Sequence, residues 1–86
     1  MSGYKVTAGK ATVRVKTFQE VGPVIMEAVT NLLALDPEGA ADDAMTAKRA
    51  WSAGEVRHAV DTHGSWRTRV TVRGEPIQIV VVREDP

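Results

Sequence analysis

The chain has 86 residues, with 11 lysines and arginines against 11 aspartates and glutamates, so its formal net charge at pH 7 is zero. That balance excludes a generally basic nucleic-acid binder and a polyacidic tail, while 43% apolar and 26% charged residues exclude a disordered or fibrous chain. One domain over residues 1–86 is expected, and at this length only roughly 60 to 65% of the unfolded surface is buried, a small core in which a substrate cavity as well would be hard to fit.

The chain opens with alternation. Tyr4, Val6 and Ala8 are interleaved with Lys5 and Thr7, and after Gly9-Lys10 the pattern resumes with Ala11, Val13 and Val15 against Thr12, Arg14 and Lys16. Period two predicts a β-hairpin. A two-residue loop at Gly9-Lys10 sets Ala8 across from Ala11, Val6 from Val13 and Tyr4 from Val15, with every apolar side chain on one face.

From Val21 the period changes to spacings of three and four, through Ile25, Ala28, Leu32 and Leu35, which predicts the main core helix. Pro23 suits its first turn and Asp36-Pro37-Glu38-Gly39 ends it. A second, alanine-rich helix is expected over 41–51, with Asp42 and Asp43 at the end where the helix dipole favours acids. Ser52 and Glu55 have the spacing of a capping box, predicting a third helix over 53–63 that Gly64 terminates.

Alternation returns in the last segment, with Trp66, Val70 and Val72 on one face and Arg67, Arg69, Thr71 and Arg73 on the other. Because Pro76 has no N–H, a four-residue loop Arg73-Gly74-Glu75-Pro76 is expected between the two final strands. This register faces Val72 with Ile77, Val70 with Ile79 and Thr68 with Val81, and sets Arg69 beside Val80 and Arg67 beside Val82. The order is ββαααββ. It predicts an α+β fold, an antiparallel β-sheet of two hairpins packed on one long and two short helices.

The neutral total hides a division. Residues 1–19 carry Lys5, Lys10, Arg14 and Lys16 and no acid, whereas residues 20–63 hold eight acids against Lys48, Arg49 and Arg57. If the helices cover one face of the sheet, the other displays Lys5, Arg14, Lys16, Arg67, Arg69 and Arg73, interspersed with threonines. Lys5 then lies across from Arg14, an unfavourable pair unless an acid relieves it. Single-stranded nucleic acid on a sheet calls for stacked aromatics, and Tyr4 and Trp66 fall on the apolar face, so an acidic protein is the better expected partner. Val80 and Val82 interrupt the polar face. They are expected to contribute to a homodimer, by sheet packing or edge pairing.

Catalytic and metal chemistry find little support. There is no cysteine, which removes disulfides, thiolate zinc sites and cysteine nucleophiles. Glu55 and His58 share a helix face, but two ligands on one short helix are a weak metal signal, and Asp42-Asp43 reads as helix-terminal charge. No phosphate-binding glycine loop or nucleophile elbow occurs, so neither a cofactor nor an enzymatic activity is expected. Trp51 and Trp66 are expected in the core. No apolar run approaches the ~20 residues that span a bilayer, and Met-Ser-Gly-Tyr-Lys lacks the apolar segment of a signal peptide, so a cytoplasmic location without membrane contact is expected.

The leading expectation is therefore a small accessory or inhibitor-type interaction domain, of a kind a phage or mobile element could encode. The alternative rests on element order. A tight link from the second helix to helix 53–63, followed by hairpin 66–83, is the order of a winged helix, in which Arg57, His58, Thr62, Arg67 and Arg69 would contact DNA.

Overall fold

The computed structural model describes residues 3–84. Strands β1 (Gly3–Ala8) and β2 (Ala11–Val15) pair as the alternation predicts, with Ala8 across from Ala11, Val6 from Val13 and Lys5 from Arg14. Gly9 has φ 61° while Lys10 has an ordinary φ. A two-residue turn with positive φ only at its first central position favours glycine there.

The second hairpin, β3 (Ser65–Val72) and β4 (Glu75–Glu84), joins the first through an antiparallel β1–β4 pairing. One four-stranded sheet results, in the order β2-β1-β4-β3. The final hairpin differs from expectation in register. Val72 pairs with Glu75, Val70 with Ile77, Thr68 with Ile79 and Trp66 with Val81, two residues away from the predicted partners. The cause is the turn. Arg73 and Gly74 alone form it, with φ of 52° and 82°, the positive-φ pair of a type I′ turn.

Pro76 does not prevent this arrangement, because it sits across from Thr71, whose own N–H points away from β4 to Asp43. That position exchanges no hydrogen bonds between β3 and β4. On its other side Pro76 lies past Ala8, the last β1 residue paired with β4. Since the slip is an even number of residues, every side chain keeps its predicted face.

A 3₁₀ turn at Phe18–Glu20 leads into α1 (Val21–Leu35), followed by α2 (Ala41–Ser52) and α3 (Glu55–His63). All three bury one stripe against the same sheet face: Val21, Ile25 and Val29 from α1, Ala44, Ala47 and Ala50 from α2, Val56 and Val60 from α3. They meet Val6, Val70, Val72, Ile79 and Val81 from the strands. Alanines along α2 shorten the reach between layers, and Gly22 lets α1 lie close against the Trp51 ring of α2, since a Cβ there would lie 2.5 Å from it. Phe18 stacks on Trp51 at 5.0 Å and meets Tyr4 edge-on at 5.5 Å, closing the core at that end. Trp51 and Trp66 both pack against the core.

The expected capping box does not form. Helix α2 runs through Ser52 and α3 starts at Glu55, so the serine belongs to the preceding helix and no side chain caps α3. Gly54 takes the left-handed conformation instead, φ 77°, which lets two residues reverse the chain. No helix among the described residues is long and apolar enough to cross a membrane.

Candidate interaction surfaces

Because the helices share one side of the sheet, the opposite face has no covering layer among the described residues. Register places its side chains in rows. One row reads Arg14, Lys5, Val82, Ser65 across the four strands, and the next Thr12, Thr7, Val80, Arg67, with Arg69 beside Gln78 beyond it. Val80 and Val82 thus occupy the centre, half-buried, with cations toward both edges. Arg67 flanks Val80 and Ser65 flanks Val82, in place of the expected Arg69 and Arg67.

The predicted basic residues divide. Lys5, Arg14, Arg67 and Arg69 lie on this face, and Lys16 is exposed just beyond β2. Arg73 is in the β3–β4 turn. The opposition of Lys5 and Arg14 is relieved by an acid of the same face, since Glu84 Oε1 accepts from Arg14 Nε at 3.1 Å. That pair is exposed, so it adds little stability but does orient the guanidinium.

The residues of the DNA-binding alternative fall on two sides of the molecule. Arg57, His58 and Thr62 are exposed on α3, in the helical layer, while Arg67 and Arg69 project from the far face of the sheet. Arg57 is also engaged locally, with Nε 3.4 Å from Asp61 Oδ2 and its guanidinium 4.8 Å from the centre of the Phe18 ring. Among the described residues no group of three or more histidines and carboxylates is placed to hold a metal.

The two sheet edges are unlike each other. Along β3, Asp43 Oδ2 accepts the Thr71 N–H at 2.8 Å and Asp36 Oδ2 accepts the Arg73 N–H at 2.8 Å. Asp36 also accepts the Gly39 N–H at 3.1 Å. The N–H of Arg73, and then that of Gly39, hold the Asp36 carboxyl below its ordinary pKa. Helix-layer carboxylates therefore occupy part of the β3 edge.

At β2 the helical layer stops short. Val13 is 44% exposed although it belongs to the apolar face, while Val6, its partner across β1, is 1% exposed. Between this overhang and α1 lies an open groove of about 350 Å³ lined by Val6, Ala11, Val13, Val24, Ala28 and Leu32, with Glu27 also on its wall. The sequence pattern did not reveal it. Alternation assigns a residue to a face, but only the reach of the helices decides whether that face is covered. Comparison with protein-family models, with curated proteins and with solved structures gives no match for this chain.

Proposed function

We propose that the protein is a non-enzymatic interaction domain that binds an acidic protein through the bare face of its sheet. The observation that carries this reading is the arrangement of Lys5, Arg14, Arg67 and Arg69 about the half-buried Val80 and Val82, with Glu84 as the acid among them. An apolar centre inside a charged rim is the usual anatomy of a protein contact, and rim cations favour an acidic partner through encounter rate and specificity. A homodimer using the same face would set these four cations against copies of themselves. The two uses of Val80 and Val82 compete, and charge favours the heterologous one.

The winged-helix reading draws on the two-residue link between α2 and α3, with Gly54 in its turn. Its contacts would have to reach DNA from both sides of the sheet at once, and this weighs against it.

Titration of labelled protein with poly-L-glutamate, and separately with random duplex DNA, tests the choice. The expected result is amide shifts at Lys5, Arg67, Val80 and Val82 with the acidic polymer, declining with salt and lost in Arg67→Glu/Arg69→Glu. Shifts concentrated in α3 on adding DNA would replace this reading with the winged helix. Sedimentation of Val80→Lys/Val82→Lys beside wild type addresses the dimer, and a wild-type dimer that the variant abolishes would assign the face to self-association.

A further inference from the structure

We propose that the β2 edge and the groove beneath it receive an extended segment of a partner protein, alternating apolar and acidic residues, as a fifth strand of the sheet. This goes beyond the face binding proposed above and uses a different surface.

Backbone direction supplies the first ground. Gly9 N–H donates to Gln78 O at 3.0 Å, so alternate β1 residues from Gly9 back through Thr7 and Lys5 turn their backbone groups toward β4. Ala8, Val6 and Tyr4 then turn theirs toward β2, where Ala11, Val13 and Val15 answer them. The N–H and C=O groups of Thr12 and Arg14 are left pointing out of the sheet. An open row of this kind is the template for strand addition.

Side-chain chemistry specifies the segment. A residue added across from Ala11 or Val13 places its side chain on the groove side, against Val24, Ala28 and Leu32, and burial there favours an apolar one. A residue added across from Thr12 or Arg14 falls on the opposite face, where residues 10–16 supply Lys10, Arg14 and Lys16 and no acid, Arg14 already sharing its guanidinium with Glu84 of β4. Carboxylates at those positions meet charge of opposite sign. Glu27 on the groove wall opposes an acid on the inner side, which sharpens the alternation.

A second copy fits less well. Antiparallel self-pairing centred on Val13 sets Lys10 against Lys16 of the other copy at both ends; centred on Thr12 it opposes Lys10 to Arg14, and centred on Arg14 it opposes that residue to itself. Each register meets like charges.

The test uses the capped pentapeptide Glu-Val-Glu-Val-Glu, with Lys-Val-Lys-Val-Lys as control, titrated into labelled full-length protein and read by amide shifts and hydrogen exchange. Saturable shifts and slowed exchange at Thr12 and Arg14 are expected with the acidic peptide, at least tenfold weaker with the basic one. Thr12→Pro removes an outward donor and the exposed Thr7–Thr12 hydroxyl contact but no backbone bond to β1, and Val13→Glu puts a carboxylate in the groove; each should weaken binding at least tenfold. Arg67→Glu/Arg69→Glu should leave it within twofold, which separates this site from the bare face. Three results would each overturn the proposal: no response at Thr12 and Arg14, equal binding of both peptides, or unchanged affinity in whichever β2 variant retains the wild-type fold. A wild-type dimer in which Thr12 and Arg14 are already protected without peptide would assign the edge to a second copy.

Discussion

The β2 and β3 strands end the same sheet, yet they meet solvent on different terms. At β3 the carboxylates of Asp36 and Asp43 occupy outward N–H groups, and the helices cover the inner side through Val70 and Val72. At β2 the outward groups of Thr12 and Arg14 have no such carboxylate among the described residues, and the inner side overhangs an apolar groove. Three helices lie over a sheet four strands wide, and the width they leave uncovered falls on one strand. An edge can be protected by filling its hydrogen bonds or by charging its flanks. This chain does the first at the turn end of β3, at Thr71 and Arg73, and, through Lys10, Arg14 and Lys16, only the second at β2, an arrangement that disfavours its own copies and, on the proposal above, admits an acidic strand.

The sharpest way to break this contrast compares Val6 and Val13, which face each other across the β1–β2 pair. Val6→Ala empties a fully packed position and should cost about 2 kcal/mol. Val13→Ala should cost less than about 0.5 kcal/mol. Urea unfolding of the two variants checks both, and equal losses would show that the groove is closed in solution. Next in size is Asp43→Ala, which leaves the part-buried Thr71 N–H without its acceptor and should cost about 1.5 kcal/mol. In a domain of this length that lowers the melting temperature by roughly 6–12 °C, and Asp43→Asn, which keeps a carbonyl oxygen, should recover part of it. Smaller and opposite in sign is Arg73→Asn. Asparagine suits the left-handed conformation that Arg73 holds at φ 52° and keeps the N–H to Asp36, so a gain of about 0.5 kcal/mol is expected in the same unfolding assay.

What the sequence disclosed and what it withheld divide along a physical line. Period-two and period-three-to-four patterns report which face a side chain takes, so the α+β class, the element order, the core helix and the basic face of Lys5, Arg14, Arg67 and Arg69 were legible. Partners fixed by backbone conformation were not. Arg73 accepts a positive φ, and that single fact moved the β3–β4 register by two residues and turned Pro76 from an obstacle into an unpaired position. Gly54 likewise displaced the cap expected of Ser52. Asp43 read as a helix-terminal charge because nothing local to 41–52 announces that Thr71 lies against it. The overhang of Val13 depends on helix placement, which no pattern within β2 encodes.

Acid should weaken the protected edge selectively. Asp36 has its pKa held down in the folded protein by the N–H groups of Arg73 and Gly39. A carboxyl depressed on folding contributes stability above its unfolded pKa and loses it as pH falls through the folded value, so this contribution is complete at neutrality and declines as pH falls from just above the ordinary aspartate pKa through the lowered one. Asp36→Asn removes the titration and keeps a carbonyl acceptor. At pH 7 the variant should therefore be the less stable of the two, and the gap should narrow steadily as pH falls, because the wild-type carboxyl becomes neutral as well. Urea midpoints measured at half-unit steps across that range read the effect, and a gap that stays constant with pH would mean that Asp36 does not hold the Arg73 N–H in solution. Hydrogen exchange then localises the loss: in acid, protection relative to the variant should fall at Arg73 and Gly39 while Thr12 and Arg14, already open, show no difference.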